Sequence, residues 1–187
     1  MKRLITVLTV ACVVAGTMGV VWLAGCNGSN SDRPKAPKAQ AYLCESCGHK
    51  FGMSLSIPVK QKLFPPIVCP KCGKRTAVRA YLYVPKGGGE PVIYRYEKYT
   101  DKQIEAMEKY RDSTPVEQLQ FEDPETIFAM EQDAPLMKYA DEDKWFNPAK
   151  EPAKSRPFSE LQTRFKNIIP VFPESWPIEK RDNLKQR

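Results

Sequence analysis

Hydrophobic and polar positions divide the N-terminal part of the chain into two segments of opposite character. Lys2 and Arg3 precede an uncharged, mostly apolar run from Leu4 to Ala24. Residues 27–40 then contain no apolar side chain larger than those of alanine and proline. A segment of that composition buries too little surface to offset the ordering of its backbone. The pattern therefore predicts an apolar leader followed by a flexible tether.

Two segments in the middle of the chain carry the pattern of β-strands. Ala77–Val84 and Val92–Tyr96 are rich in β-branched and aromatic residues, which is typical of strands. The glycine-rich stretch 86–90 between them is predicted to be a turn. We therefore expect a short antiparallel hairpin.

Helical spacing follows the hairpin. The sequence from Thr100 to Gln103 fits a capping box, and Ile104, Met107 and Tyr110 recur at helical intervals. This pattern predicts a helix over Asp101–Arg111. Two further helices are predicted, one starting at 123–125 and one capped by Ser159.

Proline punctuates the C-terminal region, where nine of the 17 prolines follow residue 112. Residues 113–187 are therefore predicted to be a proline-rich, partly helical tail. Its apolar segment 168–176 is too extended for a helix. We expect this segment to dock either in a groove of its own domain or on another protein.

Charge is unevenly distributed along the chain, whose net charge is +7. Residues 26–111 contain 16 Lys/Arg and 7 Asp/Glu, a balance of +9, whereas residues 112–187 contain 11 and 15, a balance of −4. The basic half can pair with the acidic half, or it can face anionic lipid or nucleic acid.

The apolar run closes on Leu23-Ala24-Gly25-Cys26. This ending resembles the bacterial lipoprotein signal, whose lipobox ends in a cysteine preceded by small residues. The resemblance implies a signal peptide over 1–25, lipidation of Cys26 with acyl chains such as palmitate, and a tether over 26–41. The alternative is an uncleaved single-pass helix, since about 21 residues span roughly 30 Å. If Lys2 and Arg3 stay in the cytoplasm, the lipid anchor and the single-pass helix both place the remaining chain on the extracytoplasmic face of the cell membrane or envelope.

Two C-x-x-C pairs carry the clearest chemistry. They are separated by 21 residues, each is followed by glycine, and their cysteines are Cys44, Cys47, Cys69 and Cys72. Two such pairs at about this separation are typical of a zinc site. Gly48 and Gly73 suit the positive-φ position that turns backbone N–H groups towards the sulfurs. Four thiolates close a tetrahedral shell, so we expect a structural metal with no open position for water.

The segment Tyr42–Val84 resembles the zinc-ribbon and rubredoxin-like knuckle families in its Y-x-C-x-x-C-G-H-x-F opening and its C-P-x-C-G second knuckle. The resemblance implies Zn²⁺ ligands at Cys44, Cys47, Cys69 and Cys72, and it does not indicate a function. The predicted fold class is a small metal-stapled β domain, a zinc ribbon with a short antiparallel hairpin extension over 42–97. A helix over 98–112 and the proline-rich, partly helical C-terminal region over 113–187 follow it.

These cysteines have three alternative states. Iron uses the same four sulfurs, but the loop 53–68 carries Lys60 and Lys62 and no acid, unlike the acidic loop of rubredoxins. Disulfides, or a dithiol redox pair, stay open because thiols oxidise outside the cytoplasm. A c-type haem is excluded because Gly48 stands before His49. We expect His49, the single histidine, to be a packing residue.

An aromatic and basic face is predicted on the hairpin, and it is a candidate surface for a protein partner. Its residues are Arg79, Tyr81, Tyr83, Tyr94 and Tyr96. Aromatic and arginine side chains also suit nucleic acid, but the predicted compartment disfavours that partner.

No catalytic constellation is visible in the sequence. The leading hypothesis is therefore a non-enzymatic, membrane-anchored zinc-ribbon lipoprotein that acts in binding or scaffolding in the bacterial cell envelope. One alternative is an extracytoplasmic thiol–disulfide protein that uses a C-x-x-C pair. Another is a single-pass membrane protein with a nucleic-acid-binding ribbon.

Overall fold

A mainly antiparallel sheet organises the part of the chain that the computed structural model describes, which is residues 37–119, 124–125, 134–181 and 184. Its strands are β1 (Ala39–Cys44), β2 (Lys50–Ser54), β3 (Ile67–Val68), β4 (Arg75–Tyr83), β5 (Val92–Lys98), β6 (Leu136–Tyr139) and β7 (Ile178–Glu179). The helices are few and short: α1 (Asp101–Ser113), α2 (Val116–Leu119) and α3 (Phe158–Arg164), with 3₁₀ turns at Val59–Gln61 and Pro152–Lys154.

The strand order is β6-β5-β4-β1-β2-β7, with β3 paired to β4 outside this path. The pairings are antiparallel except that of β7 with β2, which is parallel. The longest strand, β4, lies at the centre: one of its edges pairs with β1, and the other pairs first with β3 and then with β5. The predicted hairpin is confirmed as β4 and β5.

Helix α1 begins as predicted. The Thr100 side chain accepts a hydrogen bond from the Gln103 N–H, and the Gln103 side chain accepts one from the Thr100 N–H, which completes the capping box. Ile104 and Met107 form a buried cluster with Phe64 and Tyr99. The helix is thereby fixed to the loop that joins the two cysteine pairs.

That loop also caps the end of α1. The Lys60 ammonium donates hydrogen bonds to the backbone carbonyls of Arg111 and, at 2.6 Å, of Thr114. Arg111 Nη1 donates in return to the Lys62 carbonyl at 2.8 Å. A cation at the C-terminal carbonyls of a helix is favourable because it opposes the negative end of the helix dipole.

Part of the C-terminal region belongs to the sheet. The strands β6 and β7, which lie in the segment predicted as a proline-rich tail, are strands of the same sheet as the hairpin. Helix α3 is confirmed, but Ser159 lies inside it and Pro157 occupies the N-cap without a side-chain hydrogen bond. The predicted helix start at Asp123 lies outside the described residues.

The apolar segment 168–176 packs on its own sheet. The Val171 N–H donates to the Leu82 carbonyl at 2.8 Å. Phe172 lies over Gly52 so closely that a Cβ there would be 2.4 Å from the ring. Of the two predicted docking places, the described structure contains the intramolecular one. The small side chains of Ala41 and Ala80 pack with Val171, Phe172 and Trp176 in one cluster.

The N-terminal predictions fall largely outside the described residues. These are the signal peptide over 1–25, the lipidation site Cys26 and most of the tether. Strand β1 begins at Ala39, within the range 26–41 predicted as the tether. Within the described ranges, no helix has the length and apolar character needed to cross a bilayer.

Candidate metal centre

Strand pairing brings the two cysteine pairs together at the start of β4. Cys44, the last residue of β1, is the register partner of Ala77 from one edge. Ile67 of β3 is the partner of the same Ala77 from the other edge. Because Cys69 follows β3 directly, the first cysteine of each pair flanks the same point of the sheet.

The two knuckles have the same backbone geometry. In the first, the Gly48 N–H donates to the Cys44 carbonyl at 2.8 Å and the Cys44 N–H donates to the His49 carbonyl at 2.9 Å. In the second, the matching bonds run from Gly73 to Cys69 and from Cys69 to Lys74, both at 2.9 Å. Both glycines have a φ of 69°, so the predicted positive-φ positions are confirmed.

The four sulfurs form a single cluster. The Sγ atoms of Cys44, Cys47, Cys69 and Cys72 all lie within 4.8 Å of one another. The Cys44–Cys72 separation is 3.6 Å and the Cys47–Cys69 separation is 3.7 Å. Zinc at about 2.3 Å from each sulfur of a tetrahedron requires sulfur–sulfur edges of about 3.8 Å. The cluster therefore has the size and chemistry to hold a metal ion.

The cluster is half embedded in the core. Cys44 and Cys69 are 0% and 1% exposed, whereas Cys47 is exposed and Cys72 is intermediate. Cys44 and Cys69 belong to the apolar cluster that also contains Phe51. One side of a metal bound here would be covered by apolar side chains, and the other would lie near solvent.

Burial and hydrogen bonding act in opposite directions on the thiols. Burial favours the neutral thiol of Cys44, but hydrogen bonds from the Thr76 hydroxyl and the knuckle outweigh it and lower the pKa to about 6. The Thr76 Oγ1 lies 3.2 Å from the Cys44 Sγ and 3.0 Å from the Ser46 Oγ. For Cys69, burial dominates and raises the pKa to about 12. A hydroxyl beside a thiolate is the kind of outer partner that steadies a metal ligand.

His49 is a packing residue, as predicted. Its ring stacks on Phe51 with the centroids 5.5 Å apart, and Phe51 stacks in turn on Tyr42 at 5.6 Å. Tyr42 and Phe51 are cross-strand partners of β1 and β2. The aromatic residues of the recognised opening motif thus form one stack beside the first knuckle.

A charged contact joins the first knuckle to the far strands of the sheet. Glu45 accepts hydrogen bonds from Lys138 at 3.0 Å and from Lys98 at 3.5 Å. Both ammonium groups also lie over the Trp145 ring, at 5.1 and 4.1 Å from its centroid. Sequence analysis missed this contact, because nothing local relates residue 45 to residue 138.

The residues predicted to bind a partner differ in exposure and in the clusters in which they pack. Arg79 is 8% exposed, and Tyr83 and Tyr94 are 3% and 4% exposed. Tyr83 and Tyr94 pack together with Phe165 from the C-terminal region. Tyr96 packs in a different cluster, with Ala80 and Leu82.

Arg79 lies in a buried polar network. Its guanidinium donates to both carboxylate oxygens of Glu125, at 2.7 and 3.3 Å, and lies 3.7 Å from Glu97. Tyr81 donates its hydroxyl to Glu97 at 2.6 Å, and Arg95 pairs with Glu97 at 3.2 Å. The nearby charge holds the pKa of Arg79 above its ordinary value against the effect of burial. The positive charge expected to meet a partner is therefore neutralised within the chain.

Comparison with known proteins returns no relative, since no protein-family model, curated protein or solved structure matches the chain. The class of the site therefore rests on geometry. It is a close four-cysteine cluster on a mostly β fold, compatible with a zinc-ribbon knuckle and able to hold a metal ion.

Proposed function

We propose that this protein is a membrane-anchored, non-enzymatic zinc-ribbon lipoprotein that acts as a binding or scaffolding component of the bacterial cell envelope. The observation that carries the proposal is the four-sulfur cluster, with Sγ separations of 3.6 and 3.7 Å. The identity of the metal as Zn²⁺, with iron as the second candidate, is part of the proposal.

A closed four-thiolate shell favours a structural role for the metal. Zinc held by four cysteines has no free coordination position at which to activate water. The single histidine stacks on Phe51. The cluster instead joins β1, β3 and β4, so its metal would stabilise the sheet.

The direction of β1 suits an anchored protein with a rigid distal end. The described chain starts at Pro37, and β1 runs from Ala39 to Cys44. At about 3.3 Å per residue, the two ends of β1 are about 17 Å apart. If Cys26 is lipidated, the cysteine cluster would therefore stand at the end of the sheet away from the tether.

A thiol–disulfide function is the second candidate, favoured by the exposed Cys47 and the short sulfur–sulfur separations. It is less well supported, because the first cysteine of each C-x-x-C pair is buried. In an exchange reaction, an attacking thiolate must reach the partner's disulfide. Nucleic-acid binding has still less support as a function, because Arg79 and Arg95 are paired with carboxylates.

The anchor is tested by metabolic labelling with palmitate. We expect label in the wild-type chain, its loss in Cys26→Ala, and its retention in the control Cys12→Ala. Globomycin should block processing of the wild-type chain and of Cys12→Ala, and it should have no effect on Cys26→Ala. Label that persists in Cys26→Ala would contradict the lipid anchor.

The scaffolding role is tested by quantitative pull-down from native membranes. Lys71 is exposed at the tip of the second knuckle, and Lys109 is exposed in the C-terminal half of α1. We expect Lys71→Glu to release a specific partner that Lys109→Glu retains. Identical recovery with both variants would argue against the knuckles as the contact.

A further inference from the structure

Exposed apolar side chains gather at one end of the sheet. Of the seven large apolar side chains that are exposed among the described residues, five lie at or towards the end where β1 begins, and they are Leu55, Val92, Ile168, Ile169 and Ile178. Their exposed fractions range from 39% to 55%. The cysteine cluster lies at the opposite end of β1.

Backbone pairing fixes these positions. The Leu55 N–H donates to the Lys38 carbonyl, next to the start of β1. Val92 is the partner of Tyr83, the last residue of β4, which runs antiparallel to β1. Ile178 is paired with Gly52 in β2, and β7 runs parallel to β2 towards the same end.

The two isoleucines of the C-terminal region are placed by the hydrogen bonds on either side of them. The Lys166 N–H donates to the Val84 carbonyl, and the Val171 N–H donates to the Leu82 carbonyl. Residues 168 and 169 therefore project beside the end of β4.

A groove of about 540 Å³ extends from this end over the sheet, lined chiefly by Pro37, Val171, Phe172, Trp176 and Ile178. The Lys50 ammonium lies over the Trp176 ring, 5.7 Å from its centroid. Pro37, two residues before the start of β1, is part of this lining.

The segments that form this apolar surface carry exposed lysines. Lys38, Lys86 and Lys166 are exposed. The Lys86 N–H donates to the Arg164 carbonyl, which keeps the hairpin turn beside the end of α3. Glu90 and Glu174 are the exposed acids of these same segments. Apolar side chains among lysines suit the interface of an anionic bilayer, because the apolar groups can contact the acyl chains while the lysines contact the anionic headgroups.

We propose that this apolar end, centred on Trp176 and Ile178, rests in the headgroup region of the anionic membrane to which the chain is anchored. The inference rests on the lipid anchor of the proposed function. Pro37 is eleven residues from Cys26 in the sequence, and eleven residues reach at most about 40 Å. The surface next to Pro37 is therefore within reach of the bilayer, and its contact directs the cysteine cluster away from it.

The test uses the mature lipidated protein, purified in detergent and reconstituted into phosphatidylethanolamine–phosphatidylglycerol vesicles that contain a brominated lipid. Trp22 is removed with the signal peptide, so Trp145 and Trp176 are the tryptophans left. Trp145→Phe then reports on Trp176, and Trp176→Phe reports on Trp145, which lies beside the first knuckle. Flotation of the vesicles measures the anchor separately.

We expect Trp176 to lose about half of its emission to the brominated lipid, because interfacial side chains lie about 5–10 Å into the headgroup boundary. Trp145 should keep its emission. Ile178→Glu should abolish the quenching of Trp176, whereas Val116→Glu, which charges an exposed apolar position on α2, should leave it unchanged.

Flotation without quenching of Trp176 would overturn this inference and leave the anchor standing. Absence of flotation would overturn both. Protection of Trp176 from aqueous iodide that rises with protein concentration, without vesicles, would assign the surface to a second copy of the chain and also overturn the inference.

Discussion

Gly48 and Gly73 adopt the same backbone conformation, with a φ of 69° at each, one residue after the second cysteine of each pair. Nothing lies within 4 Å of the position that a Cβ would occupy at either glycine. Space therefore does not exclude a side chain at these positions, but backbone conformation does.

Alanine at Gly48 or Gly73 should accordingly destabilise the metal-loaded protein by about 1–2 kcal/mol, the cost of a left-handed conformation for a residue with a Cβ. Gly87→Ala is the matched control, since Gly87 also has open space but no positive φ. Chemical denaturation at a fixed zinc concentration measures the difference. Equal midpoints for Gly48→Ala and Gly87→Ala would show that the knuckle geometry is wrong.

The docking of the C-terminal region on the sheet is tested at Gly52. A Cβ there would lie 2.4 Å from the Phe172 ring, and overpacking of this kind costs about 1–3 kcal/mol. We expect Gly52→Ala to destabilise the fold and to speed proteolysis within 168–176. The cost should shrink in a Phe172→Leu background, because leucine lacks the ring atoms that clash.

A double-mutant cycle on these two positions gives the coupling free energy by chemical denaturation. Independent effects of the two substitutions would indicate that Phe172 does not lie on Gly52.

Local signals in the sequence were sufficient for the elements that local chemistry determines. The knuckles follow from two C-x-x-C-G patterns, the hairpin from its glycine turn, and α1 from the capping box at Thr100. The strands β6 and β7 were missed because they have four and two residues. Segments that short take their conformation from pairing with β5 and β2, which lie far away in the sequence.

The same limit applies to the candidate site. The four cysteines could be predicted, because a metal site repeats a local pattern twice. The environment of Arg79 could not be predicted, because Glu125 is 46 residues away in the sequence. An arginine among tyrosines is also typical of a binding face. The sheet's pleat and burial, and not the composition of the hairpin, determine that these side chains turn inward.

Substitution of Arg79 should reduce the stability of the fold more than substitution of most other residues outside the cysteines. Arg79→Met removes the cation shared by the buried carboxylate of Glu97 and the half-buried carboxylate of Glu125. Breaking a buried ion pair typically costs about 3–5 kcal/mol. Lys154→Met is the control, because Lys154 pairs with Glu151 where both side chains are largely exposed. Thermal unfolding should show a large loss of stability for the first variant and little for the second. A small loss at Arg79 would contradict the buried network.

Alkaline pH should unfold the protein cooperatively. Burial raises the pKa of several phenols above the ordinary value, those of Tyr42, Tyr81, Tyr83, Tyr94 and Tyr99. The unfolded state loses these protons near pH 10, before the folded state does, so the stability they support is present below about pH 10 and lost above it. Phenolate absorbance and circular dichroism should change in one joint step. Gradual ionisation of these phenols with the fold intact would refute the assignment of burial.

The most direct test of the central claim is the metal and thiol content of the mature protein purified without added metal. A zinc ribbon predicts one zinc per chain, and four thiols that become reactive only on denaturation or chelation, when the fold is lost with the metal. Cys69→Ser, at a buried ligand, should abolish zinc binding, whereas Ser46→Ala, beside the cluster, should retain it. One iron per chain would support the four-cysteine metal site and would identify its metal as iron instead of zinc. A folded, metal-free chain with no titratable thiols would contradict the account, because its four cysteines would then be disulfide-bonded.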